Sequence, residues 1–403
     1  MTIKVEKSKA NGTAVAPPSK SVAHRALICG ALTDKSVIKN LAMSKDIEAT
    51  LSCLASLGAK IEFISNDELT VGGLDLHKVR DNTVLDCNES GSTLRFLIPI
   101  ALLCGKKITF KGARRLISRP LTVYEEIVKQ KGFLFEKSQN SITLCGKLTA
   151  GSYEVAGDIS SQFITGLIFA LSQVEGESEI KLTTELESAP YVDITLDVMA
   201  EFGVDVKRKD NVFKIVGKQL EGREYTVEGD CSNAAFLDAF NMLGGEVEVI
   251  GLNPDTLQGD RVYKQFFRDL INGKKEFDIT DCPDLAPIMF SLSAVYGGAR
   301  FVGTRRLTVK ESDRASVMAE ELAKFGIKTE IFENSVEILG GELKTPSEIL
   351  CGHNDHRVVM SLVTLCTLTG GTVSGAEAVA KSFPDYFNKI NSLGIGIKEN
   401  EAQ

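Results

Sequence analysis

One pattern of hydrophobic and polar positions recurs along the chain. An amphipathic helical segment ends at a glycine, and the residues after the glycine alternate between apolar and polar, as in a half-buried strand. The glycines in question are Gly58, Gly132, Gly203, Gly326 and Gly394, with a degraded copy at Gly273. Their mean spacing of about 67 residues predicts six repeated units that account for about the whole chain.

Four of the predicted strands turn back at short polar segments, at residues 65–67, 138–140, 209–211 and 333–335. A glycine follows each return strand, so these segments are predicted to be β-hairpins. The sixth unit reaches Gln403 with its hairpin half finished, whereas residues 2–6 alternate without a unit of their own. We therefore predict that the N-terminal strand completes the sixth unit.

A second pattern, out of step with the first, is a polar opening followed by a helix of small and apolar residues. The openings lie at residues 18–21, 88–91, 158–161, 229–232, 282–284 and 354–356. Helices such as 163–172 and 288–295 are apolar nearly all round, which predicts that they are buried. Each unit should hold one buried helix, one amphipathic helix and about four strands.

These units predict an α/β (α+β) fold with two domains of three β/α units each. Residues 17–228 are expected to form one domain. Residues 1–16 and 229–403 are expected to form the other, discontinuous domain, closed by the N-terminal strand. Because the sequence contains no long linker, two closely spaced crossings should join the domains.

Composition narrows the functional class. Hydrophobic residues make up 43% and charged residues 25% of the 403 positions, which excludes disordered, collagen-like and disulfide-scaffold proteins. The net charge of −8 argues against nucleic acid or an anionic membrane as the main partner. Nine cysteines without C-x-x-C spacing predict reduced thiols, and no apolar run is long enough to span a bilayer. A cytoplasmic location is expected.

Cations and hydroxyls are concentrated at the helix openings. A helix N-terminus exposes unpaired N–H groups and carries a partial positive charge, so it attracts anions. We predict a single site, lined by helix ends from both domains, for a ligand with several negative groups. The residues that indicate it are Lys20, Ser21, Arg25, Ser92, Arg95, Arg119, Ser160, Ser161, Gln162, Lys310, Arg314 and Lys381.

Simpler interpretations exist for single members of this set. Ser21, Ser161 and Ser232 have the residue type that caps helices. Residues 310–314 have the composition of an exposed, salt-bridged helix start. Only the recurrence of the same polar end in every unit favours a binding site over separate caps.

The histidines raise the question of a metal. His353 and His356 lie three residues apart beside Asp355, but no third ligand is visible near them in the sequence. No metal is therefore expected. His24 and His77 are expected to be structural.

Taken together, the polar segments closely resemble the 5-enolpyruvylshikimate-3-phosphate synthase family of enolpyruvyl transferases. The matching segments follow the family's order at residues 18–25, 89–95, 118–120, 160–162, 188–191, 282–284, 309–314, 354–357 and 380–386. The most specific are Lys-Glu-Ser-Asp-Arg at 310–314 and Asn-Asp-His-Arg at 354–357. The resemblance implies a two-domain inside-out α/β barrel with its active site in the cleft between the domains.

The resemblance also implies the reaction, which is transfer of the enolpyruvyl group of phosphoenolpyruvate to the 5-hydroxyl of shikimate 3-phosphate. The residues on family positions that bind shikimate 3-phosphate are Lys20, Ser21, Arg25, Ser160, Ser161, Gln162, Ser188, Tyr191, Asp284 and Lys310. The residues on family positions that bind phosphoenolpyruvate are Lys20, Gly91, Arg119, Gln162, Arg314, Arg357 and Lys381. The catalytic positions hold Asp284, Glu311 and Lys20. The resemblance further implies a monomer without cofactor, in the shikimate pathway, with glyphosate at the phosphoenolpyruvate site.

Two departures limit the transfer of roles from the family. Glu89 stands where many relatives have Asn, and Arg306 stands where some have a substrate-contacting Asn, so neither is assigned to binding. Phe96 replaces a proline of some relatives, so glyphosate sensitivity is not predicted. Two alternatives remain. One is a transferase acting on UDP-N-acetylglucosamine, whose mobile loop usually carries a cysteine that residues 112–119 lack, and the other is a non-catalytic scaffold for a phosphorylated ligand.

Overall fold

The computed structural model describes residues 1–400, and these form thirteen α-helices. The helices are α1 (Lys20–Ala31), α2 (Lys45–Leu57), α3 (Gly91–Ala101), α4 (Arg114–Ser118), α5 (Thr122–Lys131), α6 (Ser161–Leu171), α7 (Ala189–Glu201), α8 (Cys231–Met242), α9 (Tyr263–Ile271), α10 (Ala286–Val295), α11 (Arg314–Lys324), α12 (His356–Thr369) and α13 (Tyr386–Ser392). Short 3-10 helices are Leu76–Lys78, Gly259–Val262, Pro283–Leu285, Arg305–Val309 and Ala376–Lys381. The helices that follow the six predicted openings are α1, α3, α6, α8, α10 and α12, and these are the buried ones.

The strands of the described residues are short. They are β1 (Thr2–Val5), β2 (Asn11–Val15), β3 (Ser36–Lys39), β4 (Lys60–Phe63), β5 (Leu69–Gly72), β6 (Thr83–Asp86), β7 (Ile108–Lys111), β8 (Leu134–Lys137), β9 (Ser141–Cys145), β10 (Ser152–Val155), β11 (Glu177–Leu182), β12 (Lys207–Lys209), β13 (Val212–Val216), β14 (Glu224–Thr226), β15 (Glu246–Ile250), β16 (Glu276–Asp278), β17 (Gly298–Val302), β18 (Thr329–Ile331), β19 (Ser335–Leu339), β20 (Leu350–Cys351), β21 (Gly371–Ser374) and β22 (Ile397–Asn400). The antiparallel pairs β4–β5, β8–β9, β12–β13 and β18–β19 confirm the four predicted hairpins.

Five of the six sheets share one arrangement of four strands. Their orders are β14-β3-β5-β4, β6-β7-β9-β8, β10-β11-β13-β12, β16-β17-β19-β18 and β20-β21-β1-β22. In each, the first strand runs parallel to the second, and the remaining neighbours are antiparallel. The repeat predicted from the glycines is therefore a repeat of three-dimensional structure.

The N-terminal segment contributes to two sheets. As predicted, β1 completes the sixth unit: Ile3 lies opposite Val373 on one side and Glu399 on the other. The sequence pattern did not predict β2, which pairs in parallel with β15 to form a sheet of only two strands. The expectation of about four strands in every unit is wrong for the fourth, because the chain passes from Gly273 to β16 without a hairpin.

A side chain covers the open edge of that shortened sheet. Asn241, on α8, donates from Nδ2 to the carbonyl of Val247 and accepts from its N–H through Oδ1, at 2.7 and 2.6 Å. An antiparallel neighbour would bond the same two backbone groups of β15, so the amide stands in for the missing strand.

The chain divides into two compact units. The continuous unit is Pro18–Glu228, and the discontinuous unit consists of Met1–Pro17 and the chain from Gly229 onward. Each has its own apolar core, built around α1, α3 and α6 in the first and around α8, α10 and α12 in the second. Each unit therefore holds three buried helices, and the βα repeat is complete in every case except the shortened fourth one.

Glycine is required at two kinds of position. The predicted helix-ending glycines have positive φ, for example 110° at Gly58 and 70° at Gly132, a region that costs other residues a Cβ clash. Gly166 on α6 serves close packing instead, because a Cβ there would lie 2.6 Å from the Arg95 carbonyl on α3. These two helices approach each other closely, which places their N-termini side by side.

Two further expectations concern the cysteines and membrane-spanning helices. All nine cysteines are free thiols, as expected for reduced cysteines. Among residues 1–400, none of the helices combines the length and apolar character needed to cross a membrane.

Candidate active site

Serine residues cap the three buried helices of the continuous unit. The hydroxyls of Ser19, Ser90 and Ser160 accept hydrogen bonds from the N–H groups of Val22, Thr93 and Gln162. The interpretation of Ser21 and Ser161 as caps is therefore wrong, because each lies inside the first helical turn, after the residue that caps it. Capping by Ser232 is wrong for the same reason, since Asp230 caps α8. This leaves Ser21, which is partly exposed, and Ser161, which is buried, in the first turns of their helices.

Three side chains converge on Gly91, the first residue of α3. A Cβ at Gly91 would lie 2.9 Å from Nη1 of Arg119, 3.1 Å from Nη1 of Arg95 and 3.8 Å from Oε1 of Gln162. Gln162 is held in place because its Oε1 accepts from Arg95 at 2.9 Å and its Nε2 donates to Ser92 at 3.0 Å. Two guanidinium groups and a helix N-terminus thus meet at one glycine, which is an arrangement suited to an anion.

Gly91→Ala is expected to weaken anion binding at this point. The methyl group would lie under 3 Å from the Arg119 guanidinium, so the side chain must move away from the position that it shares with Arg95. For the phosphoenolpyruvate that the family resemblance implies, we expect KM to rise roughly ten-fold, which corresponds to the loss of about one charged hydrogen bond. Folding should not be lost. Steady-state kinetics and the unfolding temperature measure the two effects. An unchanged KM would show that Gly91 does not border the anion.

Arg25 connects α1 to α7 through hydrogen bonds from its guanidinium group. Its Nε donates to Thr195 at 2.8 Å, Nη1 to the carbonyl of Ser21 at 2.6 Å and Nη2 to the carbonyl of Tyr191 at 2.7 Å. Burial lowers the pKa of Arg25 to about 10, so the group remains a cation at neutral pH. Arg25 therefore links the N-terminus of α1 to α7 and fixes Ser21 and Tyr191. Ser188, the residue before α7, adopts a left-handed φ of 57°.

A buried chain of hydrogen bonds connects α1 to the cap of α3. His24 Nδ1 lies 2.8 Å from the hydroxyl of Thr50, which lies 2.6 Å from that of Thr93, and Thr93 donates to Ser90 at 2.7 Å. Burial, aided by the charges of Lys20 and Arg25, holds the pKa of His24 well below its usual value. The chain of hydroxyls ties the Lys20 helix to the Gly91 opening, and His24 takes part in it as the neutral imidazole.

This burial predicts a pH-dependent stability. The folded protein keeps His24 neutral, whereas the unfolded chain takes up a proton below about pH 6.5. The free energy of unfolding should therefore fall with decreasing pH below that value, by up to about 1.4 kcal/mol per pH unit for this group. His24→Asn should reduce the slope, measured as the urea midpoint between pH 7 and 5.5, whereas His77→Asn at an exposed position should not. Equal slopes for wild type and His24→Asn would contradict the assignment.

In the discontinuous unit, four elements bring acids and bases together around Asp284. The carboxylate of Asp284 accepts from Arg314 Nη1 at 2.7 Å, from Arg357 Nη2 at 2.8 Å and from Lys310 at 3.4 Å. Arg314 also donates from Nη2 to Glu311 at 2.9 Å and from Nε to Asp355 at 2.9 Å. Five predicted residues therefore lie close together, namely Asp284, Lys310, Glu311, Arg314 and Arg357. Asp355 joins them through its hydrogen bond from Arg314. We call these six residues the Asp284 cluster.

The charges of the Asp284 cluster fix its protonation states. Burial opposes ionisation of Asp284, but Arg357, Lys310 and Arg314 outweigh it and hold the pKa of this carboxyl well below its usual range. Burial lowers the pKa of Lys310, against the opposing effect of Asp284. Arg314 is 1% exposed, and its three carboxylate partners raise its pKa in spite of burial. At neutral pH the site thus presents an ionised Asp284 framed by cations.

Lys20 and Lys381 have defined partners as well. Lys20 forms an ion pair with Asp46 of α2 at 2.7 Å, in the continuous unit. Lys381, in the discontinuous unit, donates to the carbonyl of Asn354 at 2.6 Å. Each ammonium group is therefore held by an acceptor in its own unit and does not extend into solvent.

One group of described residues has the spacing of a metal site. Glu320, Glu321 and His353 place ligand atoms within 4.8 Å of one another, so two carboxylates that the sequence pattern did not reveal lie near His353. Glu321 already bonds the ammonium of Lys324 at 2.8 and 2.9 Å, and therefore has its charge neutralised. We do not assign a metal to it.

A sequence model described as EPSP synthase (3-phosphoshikimate 1-carboxyvinyltransferase) matches residues 5–390. The chain belongs to the EPSP synthase family. A curated relative named 3-phosphoshikimate 1-carboxyvinyltransferase from Clostridium novyi (strain NT) is 39% identical, over 98% of this chain and 98% of the relative. One with the same name from Clostridioides difficile (strain 630) is 36% identical, over 99% and 98%.

Solved structures agree on the EPSP synthase fold. An EPSP synthase from Acinetobacter baumannii is 23% identical, with a TM-score of 0.77 over 98% of this chain and 99% of that one. The enolpyruvyl transferase NikO from Streptomyces tendae is 14% identical, with a TM-score of 0.76 over 100% and 99%. At this identity the likeness shows the fold, and it confirms the predicted fold class.

Several residues beside the candidate site residues were given no role from the sequence. Arg95 was named with the helix openings but without a role, and it points at Gly91 beside Arg119. Asp46 and Asp355, which hold Lys20 and Arg314, were not named for the site. Arg306 is 8% exposed, and its charge helps to lower the pKa of Lys310. A signal existed for Arg95, which lies one helical turn after Gly91. The two aspartates are 26 and 41 residues from their partners, and no sequence pattern connects them.

Proposed function

We propose that the chain transfers the enolpyruvyl group of phosphoenolpyruvate to the 5-hydroxyl of shikimate 3-phosphate, giving 5-enolpyruvylshikimate 3-phosphate and phosphate. The observation that carries the proposal is the partly buried carboxylate of Asp284, kept ionised by Arg314, Arg357 and Lys310. Full-length membership of the EPSP synthase family supports the reaction.

Phosphoenolpyruvate carries a carboxylate and a phosphate, and arginine binds both in a bidentate manner. We assign Lys20, Gly91, Arg119 and Gln162 of the continuous unit to it, together with Arg314, Arg357 and Lys381 of the discontinuous unit. The convergence of Arg119 and Gln162 on Gly91 supports the first set. Arg314 already donates to three carboxylates, so it would contact the new anion through the second hydrogen of Nη1 or by exchanging Glu311 or Asp284 for it.

Shikimate 3-phosphate offers one phosphate, one carboxylate and two hydroxyls. We assign its binding to Lys20, Ser21, Arg25, Ser160, Ser161, Gln162, Ser188 and Tyr191 of the continuous unit and to Asp284 and Lys310 of the discontinuous unit. Ser160 and Ser161 stand at the N-terminus of α6, where backbone N–H groups favour a phosphate. Since Arg25 holds the carbonyls of Ser21 and Tyr191, it acts by positioning them.

The reaction is an addition followed by an elimination. In the addition, the 5-hydroxyl loses its proton to a base and its oxygen forms a bond to C2 of phosphoenolpyruvate while C3 gains a proton. In the elimination, the C2–O bond to phosphate breaks while C3 loses a proton. An ionised Asp284 can orient the attacking hydroxyl and accept its proton as the hydroxyl becomes acidic. Glu311 and Lys20 are the two candidates for the proton at C3.

The steps assigned to these residues require no metal or nucleotide. We include in the proposal a monomeric, cytoplasmic enzyme and glyphosate as a competitor of phosphoenolpyruvate. The absence of a strongly basic surface charge, with a net charge of −8, is consistent with two small anions as the only ligands.

Phosphate release tests the proposal. Purified protein with phosphoenolpyruvate and shikimate 3-phosphate is expected to release phosphate, and to release none when UDP-N-acetylglucosamine replaces shikimate 3-phosphate. Release with only the nucleotide sugar would reassign the acceptor. If phosphate is released with neither of the two acceptors, a non-catalytic binding scaffold is favoured.

A further inference from the structure

The turn before α12 has an unusual backbone. His353 and Asn354 follow one another with φ of 47° and 54°, and neither is glycine. Side chains rarely adopt this left-handed region, and two such residues in succession persist only where surrounding contacts hold them. The turn is therefore maintained by its neighbours.

This turn leads directly to the Asp284 cluster. The carbonyl of Asn354 accepts from Lys381 at 2.6 Å. The next residue, Asp355, accepts from Arg314 at 2.9 Å and from the N–H of Arg357 at 2.9 Å. A change in the turn would thus displace an acceptor of Lys381 and the start of the helix that carries Arg357.

A buried carboxylate holds both sides of the turn. Glu321, on α11, is 0% exposed. Its Oε2 accepts from the N–H of Cys351 at 2.9 Å, and its Oε1 lies 2.8 Å from Nε2 of His353. Lys324 donates to both oxygens and balances the charge. Glu321 therefore connects the strand before the turn to the first left-handed residue of the turn.

We propose that Glu321 and His353 are positioning residues for phosphoenolpyruvate, because together they hold the 353–354 turn that orients Lys381 and Arg357. This inference rests on the proposed function and adds to it two residues outside the anion-binding set. Neither touches substrate. Without the bond between them, the turn can relax toward the backbone conformations that non-glycine residues prefer, and the acceptor of Lys381 moves.

Two substitutions of His353 separate positioning from general stability. In Gln the amide nitrogen is as many bonds from Cβ as Nε2 is in His, so His353→Gln keeps a donor that reaches Glu321. Asn tolerates the left-handed region well, but its amide is one bond shorter. His353→Asn therefore preserves the backbone preference and removes the contact. His77→Asn at an exposed position serves as the control.

We expect His353→Asn to raise the KM of phosphoenolpyruvate roughly ten-fold, the equivalent of one hydrogen bond to a charged group. The KM of shikimate 3-phosphate should change much less, and His353→Gln and His77→Asn should resemble wild type. The unfolding temperature is measured for every variant. The proposal is overturned if His353→Asn leaves the KM of phosphoenolpyruvate unchanged, whether or not the unfolding temperature falls. It is also overturned if His353→Gln raises this KM as much as His353→Asn does. An inactive wild type would instead refute the proposed function on which it rests.

Discussion

Replacing Asp284 by Asn is expected to lower kcat by roughly 10²–10⁴-fold, the range for loss of a general base. The carboxylate accepts from Arg314, Arg357 and Lys310, and their charges hold its pKa well below the usual value. An amide of the same size cannot accept the hydroxyl proton and places a donor against one of the arginines. The measurement is kcat with both substrates saturating.

The control for this substitution is Asp205→Asn, the same change at an exposed position of the chain. It should leave kcat unchanged. Because removal of a buried charge among three cations also costs stability, the assay is made well below the unfolding temperature of the variant. A folded Asp284→Asn protein with a kcat within ten-fold of wild type would remove Asp284 from the chemical step.

Arg119→Ala is expected to raise the KM of phosphoenolpyruvate by roughly 10²-fold, because a bidentate pair contributes two charged hydrogen bonds. Arg119 is 8% exposed, points at Gly91 beside Arg95, and has no hydrogen-bond partner for its Nε within residues 1–400. The KM of shikimate 3-phosphate should change far less. Initial rates with each substrate varied in turn measure both constants.

Arg114→Ala is the matched control for Arg119, since Arg114 lies on the same short segment and is exposed. Its KM values should equal those of wild type. Arg357→Ala should repeat the selective effect of Arg119→Ala from the discontinuous unit. Equal increases for both substrates would show that these arginines do not distinguish phosphoenolpyruvate from shikimate 3-phosphate.

The repeated helices and hairpins of the fold could be predicted because they depend on local patterns in the sequence. A glycine after an amphipathic helix, with its φ of 110° at Gly58, and a polar turn between alternating strands each depend on a few neighbouring residues. The N-terminal strand could be placed by elimination, since residues 2–6 alternate without a unit of their own. Strand β2 could not, because Asn11 and Gly12 have low strand propensity and give no alternating pattern.

The candidate site could be predicted as a set of residue types and positions, but its internal contacts could not. Lys20, Arg95 and Arg314 were identified from helix openings, where N-termini favour anions, whereas Gly91 was added by the family resemblance. That Arg314 would contact three carboxylates, or that Glu321 would reach His353, depends on side chains from different helices and turns. Such pairings follow from tertiary packing and leave no local pattern in the sequence.

The acidic chain keeps cations at buried or partly buried positions in each of its two units. Lys20 in the continuous unit, and Arg314 and Arg357 in the discontinuous unit, are paired with carboxylates, and Arg119 is 8% exposed. A cation away from bulk water attracts an anion more strongly than one in open solvent. The net charge of −8 therefore describes the chain as a whole and not the surroundings of these cations.

The most direct test of enolpyruvyl transfer follows the reaction in deuterated water by phosphorus and proton NMR. We expect phosphoenolpyruvate to be converted to inorganic phosphate only when shikimate 3-phosphate is present, one to one with a new enol ether at its 5-oxygen. Because C3 gains and loses a proton, deuterium should enter the methylene group of that product. Phosphate release that does not depend on shikimate 3-phosphate, or a product without the enol ether, would contradict the assignment.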